Sequence, residues 1–149
     1  LSNMAFEGKK FGEALKEAQE KGYAEANPAQ DIEGWDAACK ATIISNELMG
    51  KSMTLKDVKV QGISGVMMED VLEAKKNGNI IKLIVEVNEK GAKVEPTPVP
   101  LNSPLAVTGT LNVAVFDTDL SKDITVMGRG AGQIETAAAI MSDVFAIVR

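Results

Sequence analysis

Glu25, Asp31, Asp36 and Lys40 fall within one short stretch, AQEKGYAEANPAQDIEGWDAACK, running from Ala18 to Lys40. Asp36 and Lys40 are one helical turn apart. In a helix they share a face, with the acid on the favourable N-terminal side. Glu25 and Asp31 occupy the loop and cap that lead into the same helix, so the four groups can converge at its N-terminal end. Carboxylates hold an ammonium group. A lysine beside an aspartate can give or take the proton on an oxygen while a hydride reaches its carbon. That combination suits a small amino acid. On spacing alone, a solvated surface pair worth about 0.3–0.5 kcal/mol is the stronger reading of Asp36 and Lys40.

The rest of the composition narrows the chemistry. The chain of 149 residues contains no histidine and one cysteine, Cys39. A Ser-His-Asp or Cys-His nucleophile cannot be assembled, and a histidine- or cysteine-rich metal site is excluded. No metal is expected. Cys39 reads as a buried small hydrophobe rather than a nucleophile. A lone cysteine excludes an internal disulfide framework and suits a reducing cytoplasm. The net charge of −5 disfavours nucleic acid as a partner. No apolar run approaches the roughly 18 residues that span a bilayer, so no membrane is expected either.

The elements that must position these groups follow from periodicity and punctuation. Leu1 to Phe6 reads as the tail of a helix. Phe11 to Lys21 is amphipathic through Phe11, Ala14, Leu15 and Ala18, and Gly22 stands where a left-handed cap would stop it. Tyr23 to Gln30 is a loop. Asp31 or a neighbour caps a helix over Ile32 to Met49, ended by Gly50. A short strand is expected near Asp57 to Val60 and a helix over Glu69 to Lys76, stopped by Asn77-Gly78.

Ile80 to Asn88 alternates, with Ile81, Leu83, Val85 and Val87 on one face and Lys82, Ile84, Glu86 and Asn88 on the other. After a turn at Asn88 to Gly91, Ala92 to Glu95 begins a return strand. Pro96, Pro98 and Pro100 then break regular pairing and suggest an edge or a rigid loop. Strands over Leu111 to Phe116 and Ile124 to Met127 and a helix over Gln133 to Ile147 complete the chain. The expected class is α+β: one mixed, largely antiparallel sheet with helices packed on one face. Residues 1–149 read as one domain.

The stretch from Ala18 to Lys40 resembles the signature of homoserine dehydrogenases. Ala18, Gly22, Tyr23, Ala24, Asn27, Pro28, Asp31, Ile32, Gly34, Asp36 and Lys40 all stand at its fixed spacings. Asn27 is a departure, since many relatives carry aspartate there. The resemblance extends upstream through Met4, Phe11, Ala14-Leu15 and Gln19. It extends downstream through Val99-Pro100-Leu101, Pro104-Leu105, Gly109, Leu111-Asn112-Val113 and the run GRGAGQIET from Gly128 to Thr136.

The resemblance implies the following. Lys40 is the catalytic lysine that handles the proton on the substrate oxygen. Asp36 binds substrate and orients that lysine, while Glu25 and Asp31 line the homoserine site. The parent reaction is the reversible reduction of aspartate 4-semialdehyde to homoserine with NADPH or NADH, an oxidoreductase step of the aspartate pathway toward threonine, methionine and isoleucine. The chain would be the catalytic, substrate-binding and dimerisation domain, forming a homodimer through its sheet. The N-terminal dinucleotide-binding domain is absent from these residues, so the chain would be inactive alone. A free-standing, non-catalytic dimerisation or ligand-binding relative is the alternative.

Gly128, Gly130 and Gly132 follow a strand and precede a helix, but they are not a dinucleotide fingerprint. That motif needs a glycine at position 133, which is Gln133. Small residues still let a backbone approach a ligand closely. In the resembled family this loop touches the nicotinamide end of the cofactor, which makes Gly132 and Gly130 the cofactor-binding candidates. A plain strand-to-helix turn with close packing is the competing reading.

Overall fold

The computed structural model describes residues 1–130 and 133–148. Two compact units make up the chain, residues 1–101 and residues 102–149.

In the first unit, α1 (Ser2–Glu7) and α2 (Phe11–Glu20) are followed by α3 (Ala29–Ile32) and α4 (Trp35–Met49). A single 3₁₀ turn, Leu55–Asp57, opens into β1 (Val58–Val60). Then come α5 (Met68–Lys76), β2 (Asn79–Asn88) and β3 (Gly91–Pro100). One device starts three of these turns. A carboxylate at the third helical position reaches back to the backbone N–H of the cap residue, which has no partner inside the helix. Lys10 N–H donates to Glu13, Thr54 N–H to Asp57, and Met67 N–H to Asp70, at 3.0, 2.8 and 2.8 Å. Gly22 takes the left-handed conformation expected of it, with φ 72°.

The sheet has the order β1-β3-β2, with β1 parallel and β2 antiparallel to β3. Val85 lies opposite Val94, and Val87 opposite Ala92. With Val58 these valines form a face on which α4 packs through Ala38 and Ala41, both fully buried. Two alanines present no more than a methyl each, so the helix backbone lies close on the sheet. Helices α1 and α5 pack along β2. Lys75 ties them together by donating to Ala5 O at 2.9 Å, and Lys82 on β2 donates to Ser2 Oγ at 2.8 Å.

Two expectations are corrected here. Pro96, Pro98 and Pro100 mark an edge, as expected, but they do not interrupt pairing with β2, and β3 stays in register with it from Asn88↔Gly91 to Asn79↔Pro100. The reason is parity. Gln61 N–H donates to Val94 O at 2.8 Å, so even-numbered residues of β3 turn their backbone groups toward β1. The three prolines share that parity, and β1 pairs no further than Val94. Their missing N–H groups therefore face an unpaired edge, where proline is tolerated, and the ladder to β2 is intact. The second correction concerns the long helix expected over Ile32 to Met49. It is broken at Gly34, which takes φ 83° and separates α3 from α4. Asp31 consequently lies inside α3 rather than capping α4, and no side chain caps Gly34.

The second unit contains β4 (Leu111–Thr118), β5 (Lys122–Arg129) and α6 (Gln133–Ile147). The two strands form their own antiparallel ladder from Leu111↔Arg129 to Thr118↔Lys122. Thr118 organises the turn by donating to Lys122 O and accepting from Ser121 N–H. The fold class is α+β as expected. The strands, however, divide into a mixed three-stranded sheet and this two-stranded ladder, in which β4 and β5 pair with each other. Among the described residues no helix is long and apolar enough to cross a membrane.

An ion-pair cluster holds the start of the chain. Glu17 on α2 accepts from Lys21 and Lys9, and Asn3 Nδ2 donates to it at 3.2 Å. The hydrogen bonds from Lys21 and then Lys9 hold the Glu17 carboxyl at about 2, below its ordinary 4.5. A carboxyl whose folded value is depressed stabilises the fold fully above its unfolded value, and that contribution fades as pH falls through the folded one. Wild type should therefore lose stability relative to Glu17→Gln as pH drops from about 4.5 to about 2. Above that window the two denaturation midpoints should run parallel. The cluster is solvent-facing, so high salt should shrink the difference. Urea titrations across this pH range test it, and curves that stay parallel to pH 2 would refute it.

Candidate active site

Each sequence-derived candidate has a definite support. Glu25 sits in the loop after α2, and that loop folds back on the helix it leaves. Tyr23 and Ala24 N–H groups donate to Ala18 O at 2.8 and 3.2 Å. Gln19 Nε2 donates to the carbonyls of Glu25 and Ala26, at 3.0 and 3.4 Å. The Glu25 side chain itself is exposed. Gln19 belongs to the stretch singled out above, but its role as the anchor of Glu25 was not legible there. A glutamine at the end of an amphipathic helix carries no signal of which carbonyls it will meet.

Asn27 Oδ1 accepts from Ala29 N–H, and Pro28 O accepts from Asp31 and Ile32 N–H groups at 3.1 and 3.0 Å. These bonds form the single turn of α3 and present Asp31 on the surface. Gly34 follows, buried, and Ala38 N–H donates to Gly34 O at 2.9 Å to begin α4. Asp36 stands in the first turn of α4. Unpaired N–H groups and the helix dipole favour a carboxylate there. One turn on, Lys40 Nζ contacts Asp36 Oδ2 at 2.6 Å.

The structure thus joins Asp36 and Lys40 as the spacing requires. Glu25 and Asp31 do not join that pair through any hydrogen bond or ion pair among the described residues. Their carboxylates project to solvent, available to a ligand. The Asp36–Lys40 pair is also solvent-facing, with side chains 48% and 62% exposed. A pair so wet contributes little to folding, but it holds the Lys40 ammonium in place. Trp35 and Tyr23, beside Asp36 and Glu25 in the chain, are also exposed. Cys39 is exposed, which corrects the buried reading. It follows Ala38, whose side chain points into the core, and the neighbouring position on a helix faces elsewhere.

Sequence reasoning missed the segment Gln61-Gly62-Ile63, which leaves β1 and lies against the junction of α3 and α4. Ile63 N–H donates to Ile32 O at 2.7 Å. A Cβ at Gly62 would fall 2.5 Å from Ile32 O and 2.6 Å from Glu33 Cα. The segment has no reactive side chain, and only its glycine hints at close approach.

In the second unit, Gly130 N–H donates to Thr110 O at 3.3 Å. A Cβ at Gly130 would fall 1.7 Å from Asn112 Nδ2. That atom is the far end of the exposed Asn112 side chain, which can turn aside, so the space at Gly130 does not by itself require glycine. Gly132 lies outside the described residues.

Comparison with known proteins bears on the whole of this arrangement. The homoserine dehydrogenase family model matches residues 1–145. A homoserine dehydrogenase of Methanocaldococcus jannaschii is 54% identical over 147 residues, covering 99% of this chain and 44% of its own length. An NAD(+)-dependent homoserine dehydrogenase of Pseudomonas canavaninivorans is 38% identical over 143 residues, with 92% and 41% covered. A homoserine dehydrogenase candidate from Archaeoglobus fulgidus, known by crystal structure, superposes with a TM-score of 0.91 at 48% identity, covering 99% of this chain and 46% of that one. The chain spans less than half the length of these relatives. Matched across nearly all of its own residues, in sequence and in fold, it belongs to the homoserine dehydrogenase family.

Proposed function

We propose that this chain is the substrate-binding and proton-handling part of an enzyme that interconverts homoserine and aspartate 4-semialdehyde. The observation that carries the reading is the Lys40–Asp36 contact at the N-terminal end of α4, within a chain of this family. The exposed carboxylates of Glu25 and Asp31 suit the ammonium group of the amino-acid substrate. Asp36 holds Lys40 and binds substrate beside it. In the reducing direction the Lys40 ammonium gives a proton to the carbonyl oxygen of the semialdehyde. In the oxidising direction the lysine takes the hydroxyl proton of homoserine.

A nicotinamide dinucleotide, NADP or NAD, supplies or accepts the hydride. The described residues fit it only in part. Gly130, after β5, carries no side chain to hold a ligand off its backbone, but the ribose- and phosphate-binding fingerprint is not among these residues. We assign Gly130 and Gly132 to the cofactor side of the site. The chain on its own binds substrate and is inert, a reading supported by the 44% of the Methanocaldococcus relative that it spans. The enzyme works in the cytoplasm, in amino-acid biosynthesis, as a homodimer. The sheet face that carries Lys82, Ile84, Glu86, Lys93 and Glu95 is the proposed dimer surface.

The test uses the full-length protein, supplied with homoserine and NADP⁺ or NAD⁺. Reduction of the dinucleotide, followed by absorbance, is expected for wild type. Asp36→Ala should raise the homoserine KM at least tenfold and leave the dinucleotide KM unchanged. A wild-type protein that reduces neither dinucleotide in the presence of homoserine overturns the reading.

A further inference from the structure

We propose that the segment Gln61-Gly62-Ile63 positions the active site, setting Asp31 relative to Asp36 and Lys40. The inference rests on the functional reading above. Asp31 and Asp36 stand on two different helices, and the only chain between them is Ile32 to Trp35, with a left-handed residue at Gly34. Such a junction can swing about its backbone unless something holds it.

Three contacts hold it. Gln61 N–H donates to Val94 O, which extends β1 along β3 and fixes the start of the segment. Ile63 N–H donates to Ile32 O at 2.7 Å, satisfying a carbonyl at the end of α3. Gly62 between them leaves no room for a side chain, because Ile32 O, Glu33 Cα and Glu33 C all lie under 3.0 Å from where a Cβ would stand. Those atoms are backbone, so they yield only if the junction itself moves. On its other side, Gly34 faces Val60 and Val94, whose Cγ1 atoms would meet a Cβ at 3.1 and 3.3 Å. The junction is therefore clasped between a segment and a sheet that are themselves hydrogen-bonded together. A displacement of about 1 Å at a site that must orient two reacting groups can cost on the order of 100-fold in rate.

The experiment compares Gly62→Ala with Gly65→Ala in the full-length protein. Gly65 belongs to the same loop and has open space around it. Gly62→Ala should raise the homoserine KM at least tenfold with the dinucleotide KM within twofold of wild type, and Gly65→Ala should match wild type in both. If Gly62→Ala does not fold, replacing the Gly62–Ile63 amide by an ester removes the donor to Ile32 O and adds no side-chain atom, and it should show the same split. A purely structural role would lower the active fraction, and so the apparent kcat, while both KM values stayed put. That result overturns the positioning role alone. Wild-type protein that does not turn over homoserine overturns the functional reading, and this inference with it.

Discussion

Lys40→Ala in the full-length protein should lower kcat for homoserine oxidation by about 100- to 10,000-fold, the usual worth of a positioned general acid or base. Thermal stability should hardly change. The Lys40 side chain is 62% exposed, and among the described residues its ammonium pairs with Asp36 alone. Solvated pairs one helical turn apart contribute about 0.3–0.5 kcal/mol. Few residues in the chain should show so large a gap between lost rate and retained stability. Lys40→Arg sharpens the test. Arginine keeps the charge and can still pair with Asp36, but it does not release its proton at ordinary pH. It should be nearly as slow as Lys40→Ala, which separates proton transfer from simple charge. A variant of either kind within tenfold of wild-type kcat would remove Lys40 from the chemistry and leave it as one of the surface pairs that helices commonly carry.

The second large effect is expected at the opposite face of the same helix. Ala41→Leu should destabilise the first unit by about 1–3 kcal/mol, the usual cost of adding methylenes to a filled core. Ala38 and Ala41 have no exposed surface, and they meet Val58, Ala92 and Val94 directly. Ala41 is fully buried in this cluster, so the larger side chain of a leucine there should push α4 away from the sheet. Asp36 and Lys40 ride on that helix, and the clasp at Gly34 and Gly62 restrains only the residues that lead into it. Activity should therefore fall by more than the loss of folded protein accounts for. Denaturant titration gives the stability change, and kcat/KM for homoserine on the folded fraction gives the rest. A leucine accommodated at no cost in stability would mean that the α4–sheet contact is looser than the burial of these two alanines indicates.

The two effects separate what local pattern can reveal from what it cannot. Most elements were legible, because each carries its own period and its own stop signal. The alternation of Ile80 to Asn88 did become β2. Asn77-Gly78 ended α5, and Gly22 and Gly50 ended α2 and α4 in the left-handed conformation. The Asp36–Lys40 contact was legible too, since one helical turn brings two long side chains together wherever the helix lies. Family membership was legible for a similar reason, because the spacing from Ala18 to Lys40 is a property of the chain alone.

What failed in the sequence reading failed where a neighbour distant in sequence decides the outcome. The prolines of β3 looked like breakers because proline lacks an N–H. Whether that lack matters depends on which strand lies on which side, and only the order β1-β3-β2 with a short β1 places all three against an open edge. The helix expected over Ile32 to Met49 looked continuous because a single glycine inside a helical pattern costs only about 1 kcal/mol. It breaks because Gly34 meets Val60 and Val94 on one side while Gly62 presses on the preceding residues from the other. The sequence by itself determined the candidate residues and the charge they carry, because these reside in side chains and their spacing along the chain. The tertiary structure alone decided how α3 is set against α4, and so how Asp31 stands to Asp36 and Lys40. That angle is held by backbone contacts from a segment some thirty residues away, and backbone atoms leave no mark in a sequence beyond the glycine that lets them approach.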